Sequence, residues 1–142
     1  MKRPIITDLN FLRQRSERVN PKEIKPLIKD LEDSLDLSKG CGLSAIQIGI
    51  KLRVAIVRLL NFRLNLYNPQ IIEKTHPFRF VGEHCLSLPN LSVDTRRYNR
   101  IVVENGDGKK YSLKGIEAIV VQHEIAHLNG RTILDDKWKK RK

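Results

Sequence analysis

Two histidines stand four residues apart in His123-Glu124-Ile125-Ala126-His127, and this spacing constrains the chain more than any other feature. Ile116, Ile119 and Val120 recur at helical intervals and lead directly into them. Residues three and four apart share one face of a helix. The pattern therefore predicts a helix over 115–128, closed by Asn129-Gly130, with both imidazoles on its buried stripe. A buried imidazole without a partner is costly. One metal ion held by both rings removes that cost, and Glu124 stands where it can reach a water on the ion. Two hydrogen-bonded core histidines are the alternative. The chain has only 4 histidines, and two of them make this pair, which favours the metal.

A catalytic metal site needs a third protein ligand and an open position. The candidates lie in Glu83-His84-Cys85-Leu86-Ser87, which reads as a loop after Phe80-Val81-Gly82 and before Pro89. Cys85 offers a thiolate, or else is a small buried residue. His84 competes as a ligand or sits on a pocket rim, and His76 reads as a loop residue. A third segment, Gly40-Cys41-Gly42-Leu43-Ser44-Ala45-Ile46-Gln47, is rich in small residues that let backbone come close to a ligand or another strand. The Gln47 amide can donate to a developing oxyanion. A close-packed turn would account for the glycines equally well.

The remaining segments indicate an α+β fold. Asn20-Pro21-Lys22-Glu23 starts a helix with apolar positions at Ile24, Leu27, Ile28, Leu31 and Leu35, its first regular turn delayed until near Pro26. Leu52 to Leu59 and Leu64 to Tyr67 read as strands, the second stopped by Asn68-Pro69. Asn105-Gly106-Asp107-Gly108 is a hairpin signal between Ile101–Glu104 and Tyr111–Leu113. A chain of 142 residues supports one core. We expect a single domain over 1–136 and a frayed basic tail over 137–142.

Composition narrows the class. No apolar run approaches the roughly 18 residues of a membrane span, and Met1 to Thr7 lacks the apolar stretch of an export signal. Two cysteines, Cys41 and Cys85, cannot staple a scaffold, so a reducing cytoplasm is expected. A net charge of +11 favours an anionic partner such as nucleic acid or a ribonucleoprotein surface; a solvated basic surface is the plain alternative.

Together the three segments resemble the peptide deformylase family, whose motifs run Gly-x-Gly-Leu-Ala-Ala-x-Gln, Glu-Gly-Cys-Leu-Ser and Gln-His-Glu-x-Asp-His-Leu. Here they read Gly40 to Gln47, Glu83 to Ser87 and Gln122 to Leu128, in the same order. The resemblance extends to Asn68-Pro69, Leu12-Arg13 and the Asp107-Gly108 hairpin, and so covers nearly the whole chain.

The resemblance implies short antiparallel sheets packed around a central metal-binding helix. It implies Fe2+ held by Cys85, His123 and His127, with Zn2+, Ni2+ or Co2+ as substitutes. Glu124 would serve as general base and then acid, and Gln47 and the Leu86 N–H as oxyanion donors. Cys41, Leu86, Ile119, Val120 and His123 would line the methionine pocket. Gly42 would pair with the peptide backbone, and Glu83 would be a further substrate contact. The implied reaction removes the formyl group from formyl-Met nascent polypeptides. The enzyme would be a cytoplasmic monomer with a transient ribosome contact through its basic surface and no membrane association. A small metalloprotease and a non-catalytic basic binding module are the alternative readings. Three positions depart from the family: Ser44 for Ala, His84 for Gly and Ala126 for Asp. The last would leave an arginine, expected to be Arg97, without its carboxylate.

Overall fold

The computed structural model describes residues 1–140. Strands β1 (Gly42–Ser44), β2 (Val54–Leu59) and β3 (Phe62–Tyr67) form one antiparallel sheet in that order. Strands β4 (Gln70–Cys85), β5 (Leu88–Glu104) and β6 (Lys110–Lys114) form a second. The helices are α1 (Leu9–Leu12), α2 (Ile24–Ser34) and α3 (Gly115–Leu128). This is the expected α+β architecture, and α3 packs against strands of both sheets.

Helix α3 has the bounds that its sequence predicts. Its burial differs from the single expected stripe. Nearly every residue from Ala118 to Leu128 is buried, whereas Ile116 is 53% exposed. A helix apolar all round belongs inside a domain. Gly130, just past its end, has φ +78°, and a Cβ there would lie 2.7 Å from the Arg13 carbonyl oxygen. Only glycine satisfies both conditions.

Strand β2 divides two cores. Ala55 and Val57 join Leu66, Val103, Val121 and Ile125 on the α3 side. Val54 and Ile56 face Leu27, Ile28 and Leu31 of α2 on the other. A strand covered on both faces reads as a continuous apolar run. Helix α2 begins at Ile24, ahead of Pro26, because Asn20 caps a short 3-10 turn over Pro21–Glu23. Pro26 then falls in the first helical turn, where a missing N–H costs nothing.

The long β4–β5 ribbon corrects the loop expected around Glu83 to Ser87. Glu83, His84 and Cys85 end β4, and Leu86-Ser87 turns the chain into β5. Pro77 is accommodated because β4 is an edge strand, where one ladder hydrogen bond can be missing. His76 lies within this strand, exposed, at φ +61°.

The tail is a further correction. Lys137 bridges to Thr95, the Trp138 N–H donates to the Asp94 carbonyl at 2.8 Å, and the Arg96 guanidinium lies 5.5 Å from the Trp138 ring centroid. The segment is thus tied to β5 through Trp138. Arg141 and Lys142 lie outside the described residues. Among those residues no helix is long and apolar enough to cross a membrane.

Candidate metal centre

Two elements bring the donors together. His123 and His127 stand one turn apart on α3, and Cys85, the last residue of β4, meets them. Donor atoms of Cys85, His123 and His127 all lie within 4.8 Å of one another. Cys85 Sγ is 3.4 Å from Nε2 of His127. A tetrahedral ion with metal–nitrogen bonds of about 2.0–2.1 Å and a metal–sulfur bond of about 2.3 Å sets its donors roughly 3.5 Å apart. One thiolate and two imidazoles suit iron(II), zinc or a similar divalent ion. Donor chemistry and spacing therefore both fit a metal. His84 is outside this donor group. It neighbours Cys85 on a strand, so its side chain takes the opposite, exposed direction.

Buried charges position the candidate donors. Nδ1 of His123 is 2.7 Å from Oε2 of Glu83. An ionised carboxylate only accepts, so Nδ1 carries a proton. Burial opposes a charge on this ring, but Glu124, Cys85 and Glu83 raise it well above the usual imidazole range, and a metal would take the place of its Nε2 proton. Glu83 also accepts from Thr95 Oγ1 at 2.7 Å and from the Arg97 guanidinium through both oxygens. Burial would raise the Glu83 carboxyl, but Arg97 and then His123 overrule it and hold the group at about 2. Burial drives His127 well below the usual imidazole range, with the charges of His123 and Arg97 adding to the effect. A neutral imidazole is the form that binds metal.

Glu83 is buried and held by His123, Thr95 and Arg97, and it also forms part of the wall of the cavity that opens over the site. Arg97 is not the orphan expected from Ala126: besides Glu83, it donates to Asp136 Oδ2 at 2.9 Å. Sequence reasoning missed Thr95 and Asp136 because nothing local marks residues so far from the ligands. Only the β4–β5 pairing and the return of the tail segment bring them in.

Glu124 is 2% exposed, and its Oε1 has no hydrogen-bond partner among the described residues. Burial pushes its carboxyl up to about 7, which places it within reach of proton exchange near neutral pH. A Cβ added to Gly42 would lie 2.5 Å from Glu124 Oε2, so this glycine leaves room for the carboxylate. Gln47 sits in the 3-10 turn Ala45–Ile48. Its Oε1 accepts from the Ser44 N–H and hydroxyl, both at 3.0 Å. Those two donors turn Nε2 towards Ser87 Oγ at 3.1 Å and Cys85 Sγ at 3.8 Å. Ser44, a departure from the family pattern, thus fixes the orientation of the amide.

A cavity of about 720 Å³ opens over these groups. Cys41, Gly42, Leu86, Ile119 and Val120 line it together with His123, Glu124 and Gln47. Its mixed polar and apolar wall and its size are those of a small-molecule or peptide-end site. Strand β1 is an edge strand, and Gly42 on it reaches the cavity wall.

A three-donor centre beside a buried carboxylate, within a substrate-sized cavity, defines a class: small metal-binding hydrolases. The sequence profile of the family described as polypeptide deformylase matches residues 3–142. A peptide deformylase of Aquifex aeolicus is 36% identical, the alignment covering 96% of this chain and 89% of that protein. One of Dictyoglomus thermophilum is 38% identical over 86% of this chain and 81% of its own. The crystal structure of peptide deformylase from Thermotoga maritima superposes with a TM-score of 0.86 at 31% identity, covering 98% of this chain and 99% of that one. The chain belongs to the polypeptide deformylase family and is an enzyme of that kind.

Proposed function

We propose that the enzyme hydrolyses the formyl group from the N-terminal formyl-methionine of nascent polypeptides, releasing formate. The carrying observation is the group of Cys85, His123 and His127 donor atoms within 4.8 Å, beside buried Glu124 in the cavity wall. We assign Cys85, His123 and His127 as ligands of Fe2+, which Zn2+, Ni2+ or Co2+ can replace. Such an ion polarises the formyl oxygen and makes a water nucleophilic near neutral pH.

The residues supply the rest. Glu124 accepts the proton of the attacking water and later delivers it to the leaving amine, a role suited by a carboxyl near 7. Gln47 Nε2, held by Ser44, and the Leu86 N–H donate to the oxyanion. Ile119, Val120, Cys41 and Leu86 receive the methionine side chain. The open edge of β1 at Gly42 pairs with the peptide as an added strand. His84 forms the outer rim. Arg97 and Asp136 act at one remove by holding Glu83, which orients His123.

The same reading makes the enzyme a cytoplasmic monomer that meets its substrate at the ribosome. The test compares formate release from a formyl-Met tripeptide with cleavage of an internal peptide bond, on anaerobically purified protein of measured metal content. Formate without internal cleavage supports the proposal. Internal cleavage alone would indicate a metalloprotease, and neither activity from metal-loaded protein would indicate a binding module.

A further inference from the structure

A second cavity, of about 810 Å³, shares no lining residue with the first. Arg15, Arg18, Arg53, Lys74 and Arg131 line it, and Glu73 is the one acidic residue among its lining. Arg131 pairs with Asp136, but among the described residues Arg15, Arg18 and Lys74 form no ion pair. Arg53 is 9% exposed and donates only to neutral acceptors, the Leu128 carbonyl at 2.7 Å and Asn129 Oδ1 at 2.9 Å. Ser16, also in the wall, is 4% exposed, and its hydroxyl has no partner among the described residues.

Like charges gathered around a cavity repel one another, and within a Debye length of about 8–10 Å salt does not screen them fully. The repulsion is relieved by an anion. Arginines predominate here, and a planar guanidinium matches the paired oxygens of a phosphate. The space exceeds that of a single oxyanion, and the net charge of +11 favours a polyanion.

We propose that this cavity binds the phosphate backbone of an RNA strand, with Arg15 and Arg18 at its mouth and Arg53 and the Ser16 hydroxyl deeper in the wall. The choice of RNA over other phosphates rests on the proposed action on nascent chains, which emerge from a ribonucleoprotein particle.

The test is fluorescence anisotropy of a short labelled oligouridylate at several salt concentrations, with inorganic phosphate as a second probe. Neutralising about three phosphates of a single strand gives a log–log salt slope near −2. Reversing Arg15 and Arg18, both exposed, to Glu should weaken binding by about tenfold or more and flatten that slope by about 1. Lys25→Glu with Lys109→Glu makes the same change in net charge outside the cavity and should have a clearly smaller effect. Equal losses in the two double variants would overturn the site. So would an oligonucleotide bound no more tightly than inorganic phosphate, which would leave a small-anion pocket instead. Formate release, measured on the same preparations, reads the proposed catalysis separately, so failure of one reading is not mistaken for failure of the other.

Discussion

Oε2 of Glu83 lies 2.7 Å from Nδ1 of His123, and the same carboxylate is clamped by Arg97. The proposed ligand His123 is thus held from behind by a buried ion pair. Such outer contacts fix an imidazole's tautomer and orientation, and their loss commonly costs about 10- to 100-fold in metal affinity or activity. Glu83→Gln should lower metal affinity within that range and also lower the melting temperature, because buried Arg97 loses one of its two carboxylates. Chelator competition measures the first effect. Unchanged metal affinity would remove Glu83 from the positioning role.

Ala126→Asp restores the residue that the family motif carries, yet it should not help. Arg97 already holds Glu83 and Asp136. Position 126 is 1% exposed, and an added carboxylate without a dedicated donor costs on the order of several kcal/mol. Thermal unfolding should show a lower midpoint. A raised midpoint would mean that Arg97 has unused capacity facing α3.

Cys85→Ser should lose most of its bound metal, since a hydroxyl is a poor ligand where a thiolate stood. Metal analysis and the absorption of the cobalt form report this directly. Full occupancy with an unchanged cobalt spectrum would show that the sulfur is not a ligand.

Truncation after Asp136 removes the Lys137 bridge to Thr95 and the contact of Trp138 with Arg96 while leaving the Arg97–Asp136 pair in place. The melting temperature should fall by a few degrees, about what a loss near 1 kcal/mol gives in a domain of this size. Turnover of a formyl-Met peptide at low temperature should be kept. An unchanged midpoint would make the tail a purely solvated end.

The parts legible in the sequence are those whose burial leaves a local period. Helix α3 was readable to its bounds because Gly115 and Asn129-Gly130 frame a helical apolar run. Strand β2 was readable because both its faces are covered. The β4–β5 ribbon was not, because residues 70–77 are all exposed apart from Ile71 and show no apolar alternation, while Pro77 and Gly82 imitate a loop. The candidate triad of Cys85, His123 and His127 was legible through the resemblance to the family motifs, since each motif is local; the residues by themselves left His84 as a rival. The Glu83–Arg97–Asp136 network could not. It joins residues 14 and 39 positions apart, and strand register with a bulge between Phe80 and Glu83 decides who meets whom.

We propose a division of roles in which Glu124 moves the proton while Cys85, His123 and His127 hold the ion. It is tested most directly by formate release from a formyl-Met peptide, comparing the native protein with Glu124→Gln at equal measured metal content. The amide keeps the carboxylate's shape but cannot exchange the proton, so the account predicts full metal loading and a loss of about 10²- to 10⁴-fold in turnover. Turnover by Glu124→Gln close to that of the native protein, with the same metal content, would contradict it.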